Sequence, residues 1–273
     1  MSGGWTTVAR KEFRDAMRAR SLWAVTALMV LSVTGAVYVV GVVLSIGGPE
    51  LESSGTMVLQ GVTQQGSFFI TSLVSVLGLM TAYASIVGER SSGSLKLLLG
   101  LPYSRRDVVL GKLVGRALVL ATATFAAFIV GFLVLLTYDE LAVLDYLFLV
   151  FLTTALGVVY VSVGVALSAG VRTRSHAAAA AVGVFFFFKF LWDTSVVPRG
   201  VVYAVTRNTD AVIDPPGWYE FLVVIGPNEA YSNIAVGYLE GFGRVETFSA
   251  VVLVVWVVVP VFIGWRIFEK SDL

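Results

Sequence analysis

Residues 113–137 of the chain, LVGRALVLATATFAAFIVGFLVLLT, form an apolar run in which Arg116 is the only charged residue. An α-helix needs roughly 20 apolar residues to cross the hydrocarbon core of a bilayer, which is about 30 Å thick. Strands of a membrane barrel alternate in polarity and are about half as long, so this run predicts a spanning helix. Runs of the same character lie at Leu22–Ile46, Ser67–Val87, Leu144–Ser168, Ala177–Trp192 and Phe248–Ile267.

The composition agrees with a membrane protein. Of the 273 residues, 57% are hydrophobic and 14% are charged, which leaves too little polar surface for a soluble domain of this length. The net charge of +1 argues against a nucleic-acid binder. There is no cysteine and a single histidine, His176, which excludes disulfides and iron–sulfur clusters and disfavours a zinc site. We therefore predict an all-α polytopic protein with six transmembrane helices.

The positions of lysine and arginine predict the orientation. The N-terminal segment holds five of the 19 basic residues, and the connection after the second run, with the following helix start, holds six. Only Arg199, Arg207 and Arg244 fall on the opposite side, in the outer segment 193–247. By the positive-inside rule the basic side is cytoplasmic, and an even number of spans then places both termini in the cytoplasm of a multi-pass plasma-membrane protein.

Residues 1–21 are predicted to contain an amphipathic helix that lies at the cytoplasmic interface. Its apolar residues recur at helical spacing, and its basic residues occupy the remaining positions. Apolar positions are Trp5, Val8, Ala9, Phe13, Ala16 and Met17. Two interpretations stay open, a simple membrane anchor and a helix that also touches a cytoplasmic partner.

The connection at 88–112 reads GERSSGSLKLLLGLPYSRRDVVLGK. Leu95, Leu98 and Leu99 fall at i, i+3 and i+4, so a short helix here would present one apolar ridge. Gly100 and Pro102 are expected to end that helix. Ser104 and Asp107 form a capping-box pattern, which predicts the start of the next helix.

This pattern resembles the permeases of the type-2 ABC transporter family, which carry a coupling helix at this place. The resemblance covers nearly the whole chain, residues 1–273, as one permease domain. It implies a separate ABC ATPase subunit whose cleft receives the coupling helix, a second permease copy, and an ATP-driven exporter. The residues that it assigns to ATPase docking are Glu89, Arg90, Gly93, Leu95, Leu98, Leu99, Pro102 and Arg105.

The chain itself is predicted to be no enzyme. A phosphate-binding G-x-x-x-x-G-K-[ST] loop is not formed, since Leu113 follows Gly111-Lys112 and Arg106 stands at the place of the first glycine. ATP and magnesium are therefore expected on the partner ATPase, and this chain is expected to bind no cofactor. The alternative function is a six-span channel or membrane scaffold without an ATPase partner.

Two features of the outer half stay open to interpretation. Lys189 in the fifth run and Asp193 four residues later would form either a snorkelling interface pair or a charge pair on the substrate path. The segment 193–247 contains two apolar stretches that predict short helices dipping into the outer leaflet, and residues 195–214 look like an additional loop. Small residues at Gly111 and Gly115, and at Gly164 and Ser168, fit the spacing of close helix contacts.

Overall fold

The structure is a computed structural model that describes residues 4–46, 55–64, 67–95, 100, 103–138 and 143–271. In these parts of the chain the regular structure is entirely helical. The helices are α1 (Gly4–Met17), α2 (Arg20–Ile46), α3 (Gly55–Gln64), α4 (Ser67–Ala82), α5 (Val87–Ser92), α6 (Arg105–Leu135), α7 (Val143–Gly170), α8 (Arg174–Phe186), α9 (Val196–Thr206), α10 (Asp210–Ile213), α11 (Tyr219–Val223), α12 (Pro227–Glu240) and α13 (Arg244–Glu269).

Six helical segments among the described residues are long and apolar enough to cross a membrane, which confirms the predicted number. We call them spans one to six: Leu22–Val43, Phe68–Ser92, Arg105–Leu135, Val143–Gly170, Arg174–Trp192 and Arg244–Glu269. Span three begins eight residues before the apolar run, because the capping box is formed. The Ser104 hydroxyl accepts from the Asp107 N–H at 3.1 Å, and the Asp107 carboxylate accepts from the Ser104 N–H at 3.1 Å.

Span four lies at the centre of the bundle and is buried over most of its length, whereas spans one and five expose most of their surface. Its glycines allow the close approach of its neighbours. A β-carbon at Gly157 would come within 2.6 Å of the Leu120 side chain, and one at Gly164 within 2.8 Å of the Ala82 side chain. The predicted small-residue contact at Gly164 is therefore made within this chain, between spans four and two.

One end of the bundle gathers α1, α5, the start of α6, the connection from α7 to α8, and the last turn of α13. We call it the basic end. Arg174 at the start of α8 donates to the Gly88 carbonyl at 3.0 Å, and Arg105 donates to the Phe268 carbonyl at 2.6 Å. The N-terminal helix and the end of span six therefore lie at the same end, as an even number of spans requires.

The outer segment is more helical than predicted. Residues 195–214, expected to be a loop, form α9 and α10 instead. Pro198 did not prevent α9, because it stands in the first turn, where a missing N–H breaks no helical hydrogen bond. The helix is delimited by Ser195 and Arg207, both with positive φ, 63° and 53°. The two predicted apolar stretches correspond to α11 and α12.

Candidate functional site

Span two is interrupted near the basic end, and the interruption creates α5. The helix leaves its regular course at residues 83–86 and resumes at Val87. The buried Ser168 hydroxyl of span four accepts from the backbone N–H groups of Ile86 at 2.9 Å and Val87 at 3.0 Å. It thereby satisfies two donors that the break leaves free. At its far end α5 stops at Gly93, which adopts φ 78°, a left-handed conformation that favours glycine.

Helix α1 lies side by side with the first third of α6. A β-carbon at Gly111 would come within 2.5 Å of the Val8 side chain, and one at Gly115 within 2.6 Å of the Glu12 side chain. Val8 and Ala9 are buried in this contact. The predicted small residues Gly111 and Gly115 therefore allow α1 to pack closely against α6. Val8 faces Gly111 and Glu12 faces Gly115, so the two helices run in the same direction.

An ion cluster lies beneath this contact. Lys112 of α6 is buried, and its Nζ lies 2.7 Å from a Glu12 carboxylate oxygen and 2.9 Å from a Glu89 carboxylate oxygen. Arg116 reaches the other oxygen of Glu12 at 2.7 Å, and Lys11 approaches Glu89 at 3.7 Å. Three separate elements, α1, α5 and span three, are thus joined through the ammonium group of Lys112. We call these five residues the Lys112 cluster.

The electrostatics of the cluster keep Glu12 ionised. Burial raises the pKa of this carboxyl, but the opposing charges of Lys112 and Arg116 outweigh burial, so the pKa lies below its usual value. A buried pair of this kind is stable only while both charges are present, because either one alone would be left uncompensated. Glu12 therefore carries its charge at neutral pH and pairs with both cations.

Glu12 was not predicted as a site residue, and Lys112 was named only as part of a motif. The available signal was the position of Glu12, three residues after Ala9 and four before Ala16, on the apolar stripe of α1. An acid there must either face a cation or be solvated at the edge of the stripe. Glu89, one of the predicted docking residues, binds Lys112.

Two residues predicted for docking, Arg90 and Arg105, turn toward the bundle. Arg105 donates to the carbonyls of Phe268, Glu269 and Ser271 at 2.6, 3.0 and 2.7 Å. Arg90 donates to the Val171 carbonyl at 3.0 Å, and both guanidinium groups lie over the buried Phe268 ring. Arg105 therefore supplies donors to the end of span six, where the last carbonyls have no helical partners, and Arg90 donates to the Ser271 hydroxyl beside it at 3.2 Å.

Leu95 is also turned inward, since only 1% of its surface is exposed. Glu89, Arg90, Gly93, Leu95 and Arg105 are thus brought together at the basic end. The remaining predicted docking residues, Leu98, Leu99 and Pro102, lie outside the described residues, so their docking role stays a prediction. Within the described parts of the chain, no three Asp, Glu or His side chains come together as a metal site requires.

At the opposite end, Lys189 and Asp193 form the predicted ion pair at 3.2 Å. Lys189 does not snorkel to water. It is 2% exposed, donates to the Thr71 hydroxyl at 2.9 Å, and lies 3.9 Å from the centre of the Phe68 ring. The reason is a π-helical turn at Phe187–Trp192, which closes span five and turns this lysine toward span two.

The pair is continued by α12 of the outer segment. The buried Asn228 donates its amide N–H to Asp193 at 2.9 Å and accepts at its amide oxygen from Tyr160 at 2.9 Å and from Ser75 at 3.1 Å. Glu229 follows it along α12. This outer network connects spans two, four and five with α12, and the sequence gave no indication of Asn228.

Comparisons with known proteins identify the family of the chain. Residues 6–273 match the family model described as ABC-2 family transporter protein. The chain belongs to the ABC-2 transporter family. Two similar proteins are both described as "Probable ABC transporter permease protein NosY". The one from Pseudomonas aeruginosa is 33% identical over 167 residues, 59% of this chain and 58% of that protein. The one from Stutzerimonas stutzeri is 32% identical over 121 residues, 44% of this chain and 41% of that protein.

The matched region thus spans about half of the length of these relatives. The family identifies the chain as a permease subunit of an ABC transporter, a membrane protein. Membership in a family of permease subunits also supports the prediction that the chain has no catalytic activity of its own.

Proposed function

We propose that this permease transmits the movement of a separate ATPase subunit to its six spans and thereby moves a substrate out of the cell. The observation that carries the proposal is the Lys112 cluster, which joins α5 to α1 and span three. A docking segment at 93–103 lies directly after α5, so any force on that segment acts on a buried, multiply bonded joint.

To transmit movement, the connection between the docking segment and the spans must resist bending. A loop attached only to span two would bend when an ATPase subunit pulled on it, and the spans would stay where they are. Here the loop has further attachments: Glu89 to Lys112 of span three, Arg90 and Arg105 to the end of span six, and the Gly88 carbonyl to Arg174 of span five. A displacement of α5 is therefore shared by spans three, five and six.

The docking residues then divide into two groups. Leu98 and Leu99 would form the apolar contact with the ATPase, worth roughly 1.5–3 kcal/mol for each side chain that is fully covered. Gly93 and Pro102 would delimit the segment. The inward residues Glu89, Arg90, Leu95 and Arg105 would hold it in place instead of touching the partner.

We place the basic end in the cytoplasm, where ATPase subunits bind ATP and magnesium, and the chain in the plasma membrane. The excess of basic residues at this end supports the orientation. The complete transporter would contain two permease copies and two ATPase subunits. ATP and magnesium would be bound by the ATPase alone.

The decisive experiment is affinity purification of the tagged chain from its own membrane, followed by identification of the proteins that accompany it. The proposal predicts a stoichiometric subunit with a nucleotide-binding loop. The double variant Leu98→Asp/Leu99→Asp should lose at least about tenfold of that subunit, because two apolar contacts worth more than about 1.4 kcal/mol together are removed. The matched control Val205→Asp/Phe242→Asp changes two exposed apolar residues of the outer segment and should retain it. If no nucleotide-binding subunit accompanies the unmodified chain, the proposal is wrong and a channel or scaffold function replaces it.

A further inference from the structure

A groove runs between spans three and six at the basic end. Its volume is about 360 Å³, and its walls are almost entirely aliphatic and aromatic. Leu110 and Leu113 form one wall, and Val258 and Phe262 form the other. Phe262 and Val258 are about half exposed, so the groove opens sideways from the bundle. No residue of the Lys112 cluster or of the outer network lines this groove.

The mouth of the groove carries positive charge. The Arg106 guanidinium lies 5.7 Å from the centre of the Trp265 ring, and the Arg266 guanidinium lies 4.8 Å from the same ring. Arg266 also pairs with Glu269 at 3.6 Å, and both side chains of that pair are about half exposed. Among the described residues no carboxylate lies within ion-pair distance of Arg106. Its neighbour Asp107 is engaged in the cap with Ser104.

The dimensions of the groove fit a lipid chain. From Trp265 to Val257 span six rises about 12 Å, at about 1.5 Å per residue. That distance covers most of one leaflet, about half of the 30 Å hydrocarbon core. A tryptophan at the mouth is typical of the depth where headgroups begin. The groove therefore runs parallel to the acyl chains of the leaflet at the basic end and is open to them.

We propose that this groove binds one anionic phospholipid of the surrounding bilayer. One acyl chain lies between spans three and six, and the phosphate is held by Arg106 with help from Arg266. A guanidinium group can donate two parallel hydrogen bonds to a phosphate, and it is already held over Trp265 by a cation–π contact. A zwitterionic lipid brings its own cation to the same place, so a lipid with net negative charge is preferred. This inference is independent of ATPase coupling.

Native mass spectrometry of the full detergent-purified chain tests the proposal. The protein is titrated with phosphatidylglycerol and with phosphatidylcholine of identical acyl chains. We expect one phosphatidylglycerol to be retained at roughly tenfold lower concentration than phosphatidylcholine, because only phosphatidylcholine brings a second cation next to Arg106 and Arg266. Arg106→Gln should abolish this preference. Arg244→Gln, which removes an exposed arginine at the opposite end, should leave it unchanged.

A second variant and a second measurement separate this groove from general surface charge. Leu110→Trp fills the groove without changing charge and should weaken the retention of both lipids. Phosphatidylglycerol with brominated chains should quench the fluorescence of the unmodified protein more than that of Trp265→Phe. Equal preference in Arg106→Gln and the unmodified protein, or an equal loss in Arg244→Gln, refutes the proposal. A dimer that Leu110→Trp converts to monomer also refutes it, because a second copy of the chain would then occupy the groove.

Discussion

Replacement of Lys112 by methionine isolates the contribution of the central ion cluster. The substitution keeps the length of the side chain and removes its charge, which leaves Glu12 and Glu89 without their shared cation. Loss of one partner from a buried ion pair costs about 3–5 kcal/mol. Glu12 retains Arg116 and Glu89 retains Lys11, and the side chains of both cations are partly exposed, so we expect the lower end, about 3 kcal/mol.

The effect should appear first in α1, because Glu12 of this helix loses its buried counter-charge. Hydrogen exchange of the detergent-purified chain measures that effect directly. A loss of about 3 kcal/mol corresponds to a roughly 100-fold decrease in the protection of the backbone amides of α1. Lys11→Met is the matched control. Its side chain is 54% exposed and 3.7 Å from Glu89, so protection should fall less than about fivefold.

A double-mutant cycle with Glu12→Gln completes the experiment. If Glu12 and Lys112 act together, the double variant costs clearly less than the sum of the single variants. Equal effects of Lys112→Met and Lys11→Met, or simple additivity with Glu12→Gln, would show that the cluster does not hold α1.

Three further predictions concern other contacts. Gly111→Val would bring a β-carbon to 2.8 Å from a backbone oxygen of α1, so thermal unfolding should show a loss of about 1–3 kcal/mol, whereas Gly183→Ala, with open space around it, should be neutral or slightly stabilising. Asp193→Asn leaves Lys189 buried without its counter-charge, so the free energy of unfolding should fall by about 3–5 kcal/mol. The monodisperse fraction in size-exclusion chromatography should decrease accordingly. A second change, Lys189→Met, removes the unpaired charge and should largely restore that fraction. Burial, followed by the charge of Asp193, raises the pKa of Glu229 from 4.5 to about 7. Between these pH values the folded state retains a proton that the unfolded chain releases, so the melting temperature should fall as pH rises. Glu229→Gln should remove that fall.

Much of the architecture follows from local sequence, because the bilayer imposes a simple requirement. Each span must be a helix with about 20 apolar residues, and apolar runs of that length are visible without knowledge of any contact. The start of span three was predictable for a different reason. The capping box connects Ser104 with Asp107, three residues apart, so both partners lie within one short pattern.

The candidate site was less predictable, since its contacts join distant parts of the chain. Glu12 and Lys112 are 100 residues apart, and composition alone does not reveal which acid meets which lysine. For Lys189, paired with Asp193, the sequence left open a snorkelling position at the interface and a position on the substrate path. The burial of Lys189 depends on a π-helical turn and on Asn228, 35 residues beyond Asp193. Helix α9 was missed because residues 195–214 looked like an additional loop, although Pro198 in the first turn is compatible with a helix.

The contacts of Arg105 with the end of span six have a consequence for biosynthesis. Phe268 follows Arg105 by 163 residues and Ser271 by 166. At a translation rate of about 5–20 residues per second, the ribosome needs roughly 8–30 s to add that much chain. Throughout this interval the loop that precedes span three has emerged without the carbonyl groups that later bind its arginine. Arg105 can therefore take up its final contacts only after span six has been made and inserted. In a nascent chain that stops before span six, this loop therefore lacks one of its attachments, the contacts of Arg105 with the end of that span.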